Sequence, residues 1–117
     1  MAHLSTHVLD TSRGAPADGL DVELHILRGA DRHRLAAATT NAQGRTDAPL
    51  VSADALEAGV YEITFHAADY FRRTGVMLTD PPFLGDVVVR VGIADPRGHY
   101  HVPLLLSPYG YSTYRGT

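Results

Sequence analysis

The chain has 117 residues, a formal charge of −3 and no cysteine. That length fits one domain, residues 1–117, able to bury roughly two thirds of its unfolded surface without covalent staples. The composition excludes disulfides, thiolate metal sites and cysteine nucleophiles, and it offers no basic footprint for nucleic acid. No apolar run approaches the ~20 residues a helix needs to span a bilayer. The segment Met1-Ala2-His3-Leu4-Ser5 lacks the basic and apolar regions of a secretory signal, and no lipidation motif is present. The expectation is a cytoplasmic protein with neither nucleic-acid nor membrane partners.

Read in chain order, period-two alternation dominates. In Leu4–Asp10 the residues Leu4, Thr6 and Val8 share one face, and His3, Ser5, His7 and Leu9 share the other. Arg13-Gly14-Ala15-Pro16 closes this strand. Leu20, Val22, Leu24 and Ile26 then alternate with Asp21, Glu23 and His25, which predicts a half-buried strand. The run Leu35–Thr40 is followed by turn residues Asn41-Ala42-Gln43-Gly44. Tyr61, Ile63 and Phe65 restore the alternation. Over Ala67–Thr74 it stops, so one short helix is expected, with Gly75 as its C-terminal stop. Asp80-Pro81-Pro82 reads as a loop. Val87, Val89, Val91 and Ile93 form another strand, and Asp95-Pro96-Arg97-Gly98 carries Asp, Pro and Gly at the places a type I turn prefers. This turn predicts that Val87–Ile93 folds back on His99–Leu106 as an antiparallel pair. Leu104-Leu105-Leu106 is apolar enough to be covered on both faces, and Tyr109–Tyr114 is strand-like, with tyrosines suited to core packing or a subunit contact. Short strands at this spacing point to an all-β sandwich.

Three polar positions and one tail can carry chemistry. His7 lies on the more polar face of its strand. Arg45 directly follows Gly44; its planar fork suits an anionic or carbonyl-rich ligand. His99 and His101 share a strand face, opposite Tyr100, Val102, Leu104 and Leu106, and can serve as metal ligands or as an acid/base pair. The bland reading of each is a solvated surface group. The last residues, Tyr114-Arg115-Gly116-Thr117, would ordinarily fray. They nevertheless assemble an aromatic ring, a guanidinium, a hinge glycine, a hydroxyl and a carboxylate in one short stretch.

Taken together, Leu4–Asp10 with His7, Gly44-Arg45-Thr46, His99-Tyr100-His101-Val102-Pro103-Leu104-Leu105-Leu106-Ser107-Pro108 and the tail Tyr114–Thr117 resemble the transthyretin-like 5-hydroxyisourate hydrolases. The resemblance covers essentially the whole chain and keeps the motifs in order. Family tails most often close with serine, where this chain has Thr117 and keeps the hydroxyl. The resemblance implies a transthyretin-like β-sandwich of two four-stranded sheets with one short helix, assembled as a homotetramer. It implies hydrolysis of 5-hydroxyisourate, a small-molecule substrate from urate oxidation in purine catabolism, with no metal and no cofactor. It assigns His7, Arg45 and His101 as catalytic residues. Substrate binding falls to His7, Arg45, Tyr114, Arg115, Gly116 and Thr117, and supporting places to His99 and Ser107. Ring opening needs a base for water, a hold on the carbonyl and an acid for the leaving nitrogen. On this reading His101 activates water, His7 is its partner or the proton donor, and Arg45 binds the carbonyls. The alternatives are a non-catalytic transthyretin-like carrier of small ligands, a generic β-sandwich interaction module, and a metal protein using His99 and His101.

Overall fold

The computed structural model describes residues 3–117. Met1 and Ala2, which head the segment read for a secretory signal, lie outside the described residues. Eight strands and one helix follow in order: β1 (His3–Asp10), β2 (Ala15–Pro16), β3 (Asp21–Arg28), β4 (Asp31–Thr39), β5 (Gly59–Phe65), α1 (Ala67–Arg73), β6 (Val87–Ile93), β7 (His99–Ser107) and β8 (Gly110–Thr113). They form two four-stranded sheets, ordered β2-β1-β7-β8 and β4-β3-β5-β6. No helix is long and apolar enough to cross a membrane among the described residues.

The core lies between the sheets and is filled by the apolar half of each alternation. Leu4, Val8, Leu104 and Leu106 come from the first sheet, and Val22, Leu24, Tyr61, Ile63 and Phe65 from the second, all fully buried. Removing such a side chain costs about 2–5 kcal/mol in a well-packed interior. Helix α1 covers one end with Tyr70 and Phe71. The Tyr70 hydroxyl donates to the buried Asp10 carboxylate at 2.8 Å, which ties α1 to β1. The helix stops where expected. Val76 N–H bonds Phe71 C=O and Gly75 N–H bonds Arg72 C=O, the Schellman pattern, with Gly75 at φ 89°.

One sequence expectation is corrected. The Asp95–Gly98 turn forms, with Gly98 N–H on Asp95 C=O at 2.9 Å, but β6 and β7 do not pair. Strand β6 pairs with β5 in the second sheet, while β7 runs parallel to β1 and antiparallel to β8 in the first. Both strands carry a buried apolar face, Val87, Val89 and Ile93 on one and Tyr100, Val102, Leu104 and Leu106 on the other. A hairpin would set these faces side by side on one sheet. The turn instead arches from one sheet to the other, so that both faces turn into the shared core between the sheets. The Tyr100 hydroxyl stabilises the arch by accepting from Asp95 N–H at 3.1 Å.

Strand β4 also begins four residues ahead of the Leu35–Thr40 run. Its first half, Asp31-Arg32-His33-Arg34, is polar and exposed on an edge strand, so no apolar alternation marks it.

Candidate active site

The parallel pairing of β1 with β7 builds the site's floor. Its register runs from His3 opposite His99 to Asp10 opposite Leu106. Because both strands alternate in phase, His3, Ser5 and His7 share the outward face of the first sheet with His99 and His101, while Leu4, Thr6, Val8, Tyr100, Val102 and Leu104 turn into the core. The outward residues Ser5, His7 and His101 are half-buried, and His99 is exposed. The His3 and His99 rings meet edge to face at a centroid distance of 4.0 Å.

Arg45 reaches this floor through the 41–45 turn. Asn41 N–H bonds Arg45 C=O, and the Asn41 side chain accepts from Gln43 N–H, which fixes the turn. Gly44 C=O accepts from Val8 N–H at 2.8 Å, and His7 and Arg45 then form an antiparallel bridge. Gly44 makes the approach possible on two grounds. Its φ is 76°, and a Cβ there would stand 2.3 Å from the Val8 carbonyl oxygen. The His7 ring is held by Nε2 donating to Gln43 C=O at 2.9 Å. A carbonyl only accepts, so Nε2 carries the proton and Nδ1 is the nitrogen left to face a ligand.

The 114–117 segment is not frayed. Gly116 bridges His101, with Gly116 N–H on His101 C=O at 2.7 Å. A Cβ on Gly116 would stand 2.7 Å from His101 Cδ2, so only glycine lets the segment lie against this imidazole. Arg115 points back along β7. It donates through Nη2 to His99 C=O and lies 4.2 Å over the Tyr100 ring, a cation–π contact that anchors the segment. Tyr114 and Thr117 are exposed. His101 Nδ1 is 2.9 Å from Ser5 Oγ, a partner that sequence reading left among the neighbours of His7. The register of two strands separated by most of the chain sets that pair, and no local pattern carries it. Ser107 lies apart from this group. Its hydroxyl donates to Gly110 C=O and closes the β7–β8 turn, six residues along the strand from His101, on the order of 20 Å.

The electrostatics are one-sided. Burial lowers the His101 pKa below the usual histidine value, and Arg45, His7, His99 and His3 lower it further. Burial and then Arg45 lower that of His7 as well, against the opposing bond to Gln43. Both imidazoles are therefore neutral at neutral pH and each can accept a proton, beside a guanidinium suited to hold a carbonyl or a developing negative charge. No group of three or more histidine, aspartate or glutamate side chains that could hold a metal ion occurs among the described residues.

Residues 4–116 match the HIUase/Transthyretin family. Over 114 residues the chain is 57% identical to 5-hydroxyisourate hydrolase 2 of Rhizobium meliloti, covering 97% of this chain and 95% of that protein. A crystal structure of (S)-allantoin synthase superposes at a TM-score of 0.91 with 39% identity over 98% of this chain, which spans only 43% of that longer one. Transthyretin from Sparus aurata superposes at 0.87 with 26% identity, covering 99% of this chain and 97% of the other.

Proposed function

This chain belongs to the HIUase/Transthyretin family as one of its hydrolases, and from that premise we propose that it opens the six-membered ring of 5-hydroxyisourate to 2-oxo-4-hydroxy-4-carboxy-5-ureidoimidazoline, a step of urate degradation. The observation that carries this reading is the convergence of His7, Arg45 and His101, from three distant segments, on one sheet face beside residues 114–117.

His101, neutral at working pH, accepts a proton from water as the oxygen attacks the ring carbonyl. Arg45 holds that carbonyl and the negative charge it gains, a contribution on the order of 10²–10³-fold per good donor. The C–N bond then breaks and the proton held by His101 passes to the departing ring nitrogen. The former carbonyl carbon stays on the molecule as a carboxylic acid that releases its own proton to solvent. His7, its Nε2–H engaged with Gln43, offers Nδ1 to a substrate N–H or O–H and thereby orients the ring. As a proton donor at Nδ1 it would first have to become imidazolium, which burial and Arg45 oppose. His7 is thus the partner of His101 more readily than the donor. On this reading Tyr114, Gly116 and Thr117 contribute to substrate binding beside His101, Arg115 anchors them, and no cofactor has a part.

Assembly as a homotetramer of one domain per chain belongs to the same proposal. The exposed Val88 and Tyr111, on edge strands β6 and β8, support it, because apolar and aromatic side chains along unpaired edges invite a second copy. A non-catalytic carrier has less need of a neutral imidazole pair beside a guanidinium.

The test generates 5-hydroxyisourate from urate in situ and follows its ultraviolet absorbance with and without the protein. Decay well above the spontaneous rate is expected. Decay at the spontaneous rate would eliminate the hydrolase, and saturable binding of a small ligand without turnover would favour the carrier.

A further inference from the structure

Two contacts fix the His101 ring, and they meet it on opposite sides. The Ser5 hydroxyl lies 2.9 Å from Nδ1, and the backbone of Gly116 is so close to Cδ2 that no side chain fits between them. Ser5 is placed by the sheet itself. It is the residue directly opposite His101 in the parallel register, and Thr6 beside it bonds Val102 C=O at 2.7 Å on the core side, which locks the two strands against slipping. Nε2 is the ring nitrogen left to meet a ligand.

We propose that Ser5 is a positioning residue that sets the orientation and tautomer of His101, its oxygen accepting from Nδ1–H so that Nε2 presents a lone pair to the attacking water. The inference rests on the reading of His101 as the water-activating base. Which nitrogen of a neutral imidazole is protonated follows from the hydrogen bond made by the other. With no acceptor at Nδ1 the ring is free to place its proton on Nε2, and that form cannot take a proton from water at the atom facing it. The surroundings keep the ring singly protonated, since burial first, and then Arg45 and three imidazoles, oppose a second proton. Ser5 chooses between the two neutral forms.

The test compares wild type, Ser5→Ala and Ser5→Thr in two ways. Long-range ¹H–¹⁵N spectra of histidine-labelled protein, with the His101 signals assigned through His101→Asn, read the tautomer directly. Steady-state kinetics on 5-hydroxyisourate read its consequence. The expected result is an Nδ1–H tautomer in wild type and Ser5→Thr, and a shift toward Nε2–H in Ser5→Ala. With it, kcat falls about 10–100-fold in Ser5→Ala, the scale for losing an outer hydrogen-bonded partner, while KM changes little and the threonine variant recovers the rate. An Nε2–H tautomer in wild type, or unchanged His101 signals and kcat in Ser5→Ala, would overturn the proposal. If wild type showed no turnover, the hydrolase reading would fall, and the tautomer comparison would still decide whether Ser5 governs this ring. Should Ser5→Ala fail to fold, the wild-type tautomer carries the decision.

Discussion

Two faces of this sandwich carry histidines, and they treat protons in opposite ways. On the outer face of the first sheet, His7 and His101 sit with Arg45 and other imidazoles, and their pKa values fall. On the second sheet, His66 at the start of α1 is gripped by Glu23 at 2.7 Å and Asp86 at 2.9 Å, and its pKa rises although burial alone would lower it. The imidazole is the same and the degree of burial is similar. The sign of the neighbouring charge decides the outcome. On the first face the base has the Arg45 cation beside it in place of side-chain carboxylates. A clamp that must hold strand β3, helix α1 and the segment before β6 together recruits them. Glu23 completes the second case: the bond from His66 depresses its own pKa, with Arg34 adding to the effect.

The contrast can be broken most forcefully on the first face. His101→Asn and Arg45→Ala should each lower kcat/KM by about 10²–10⁴-fold, with circular dichroism and assembly unchanged. Unfolding in both variants would make these residues structural. Next in size, Gly116→Ala should cost on the order of 10²-fold, the scale of an ångström's displacement of a reacting group, because its methyl group would drive against His101 Cδ2. Full activity there would show that the ring has room to move. The acid limb of kcat/KM should inflect below 6.5, since the folded pKa values of His7 and His101 are lowered. A limb centred above 6.5 would mean that an unseen acidic group dominates.

The smallest effect belongs to the second face. The folded pKa of His66 is raised, so its contribution to stability is complete below 6.5 and disappears as pH climbs through the folded value. Glu23→Gln should therefore lower Tm more at pH 6 than at pH 9, with catalysis intact at both. An equal loss at the two values would remove proton linkage from the clamp.

Legibility from sequence divides along physical lines. Strands such as Leu20–Ile26 and Tyr61–Phe65 announce themselves, because one face is buried and periodicity records burial. The polar start of β4 is silent for the same reason. The Asp95–Gly98 turn was readable and its consequence was not, since turn chemistry fixes a local reversal and leaves open whether the chain stays in its sheet or crosses to the other. Among the site residues, the resemblance named His7, Arg45 and His101, and strand alternation gave the outward faces of the two histidines. What no local pattern held was Ser5 against His101, Arg115 turned back over Tyr100, and the close passage of Gly116, for each depends on pairings made across the chain.

The Ser5–His101 contact joins residues 96 positions apart, and the parallel alignment beneath it links the earliest strand to one of the latest. Loop closure over such a span is slow and comes at an entropic cost that only a nearly complete structure can repay. Intermediates in which β1 and β7 have not yet paired would hold the imidazoles apart and leave the substrate untouched. Recovery of turnover after dilution from denaturant should therefore lag behind recovery of far-ultraviolet dichroism. The enzyme would carry its own quality-control signal, silent until the two distant strands have met.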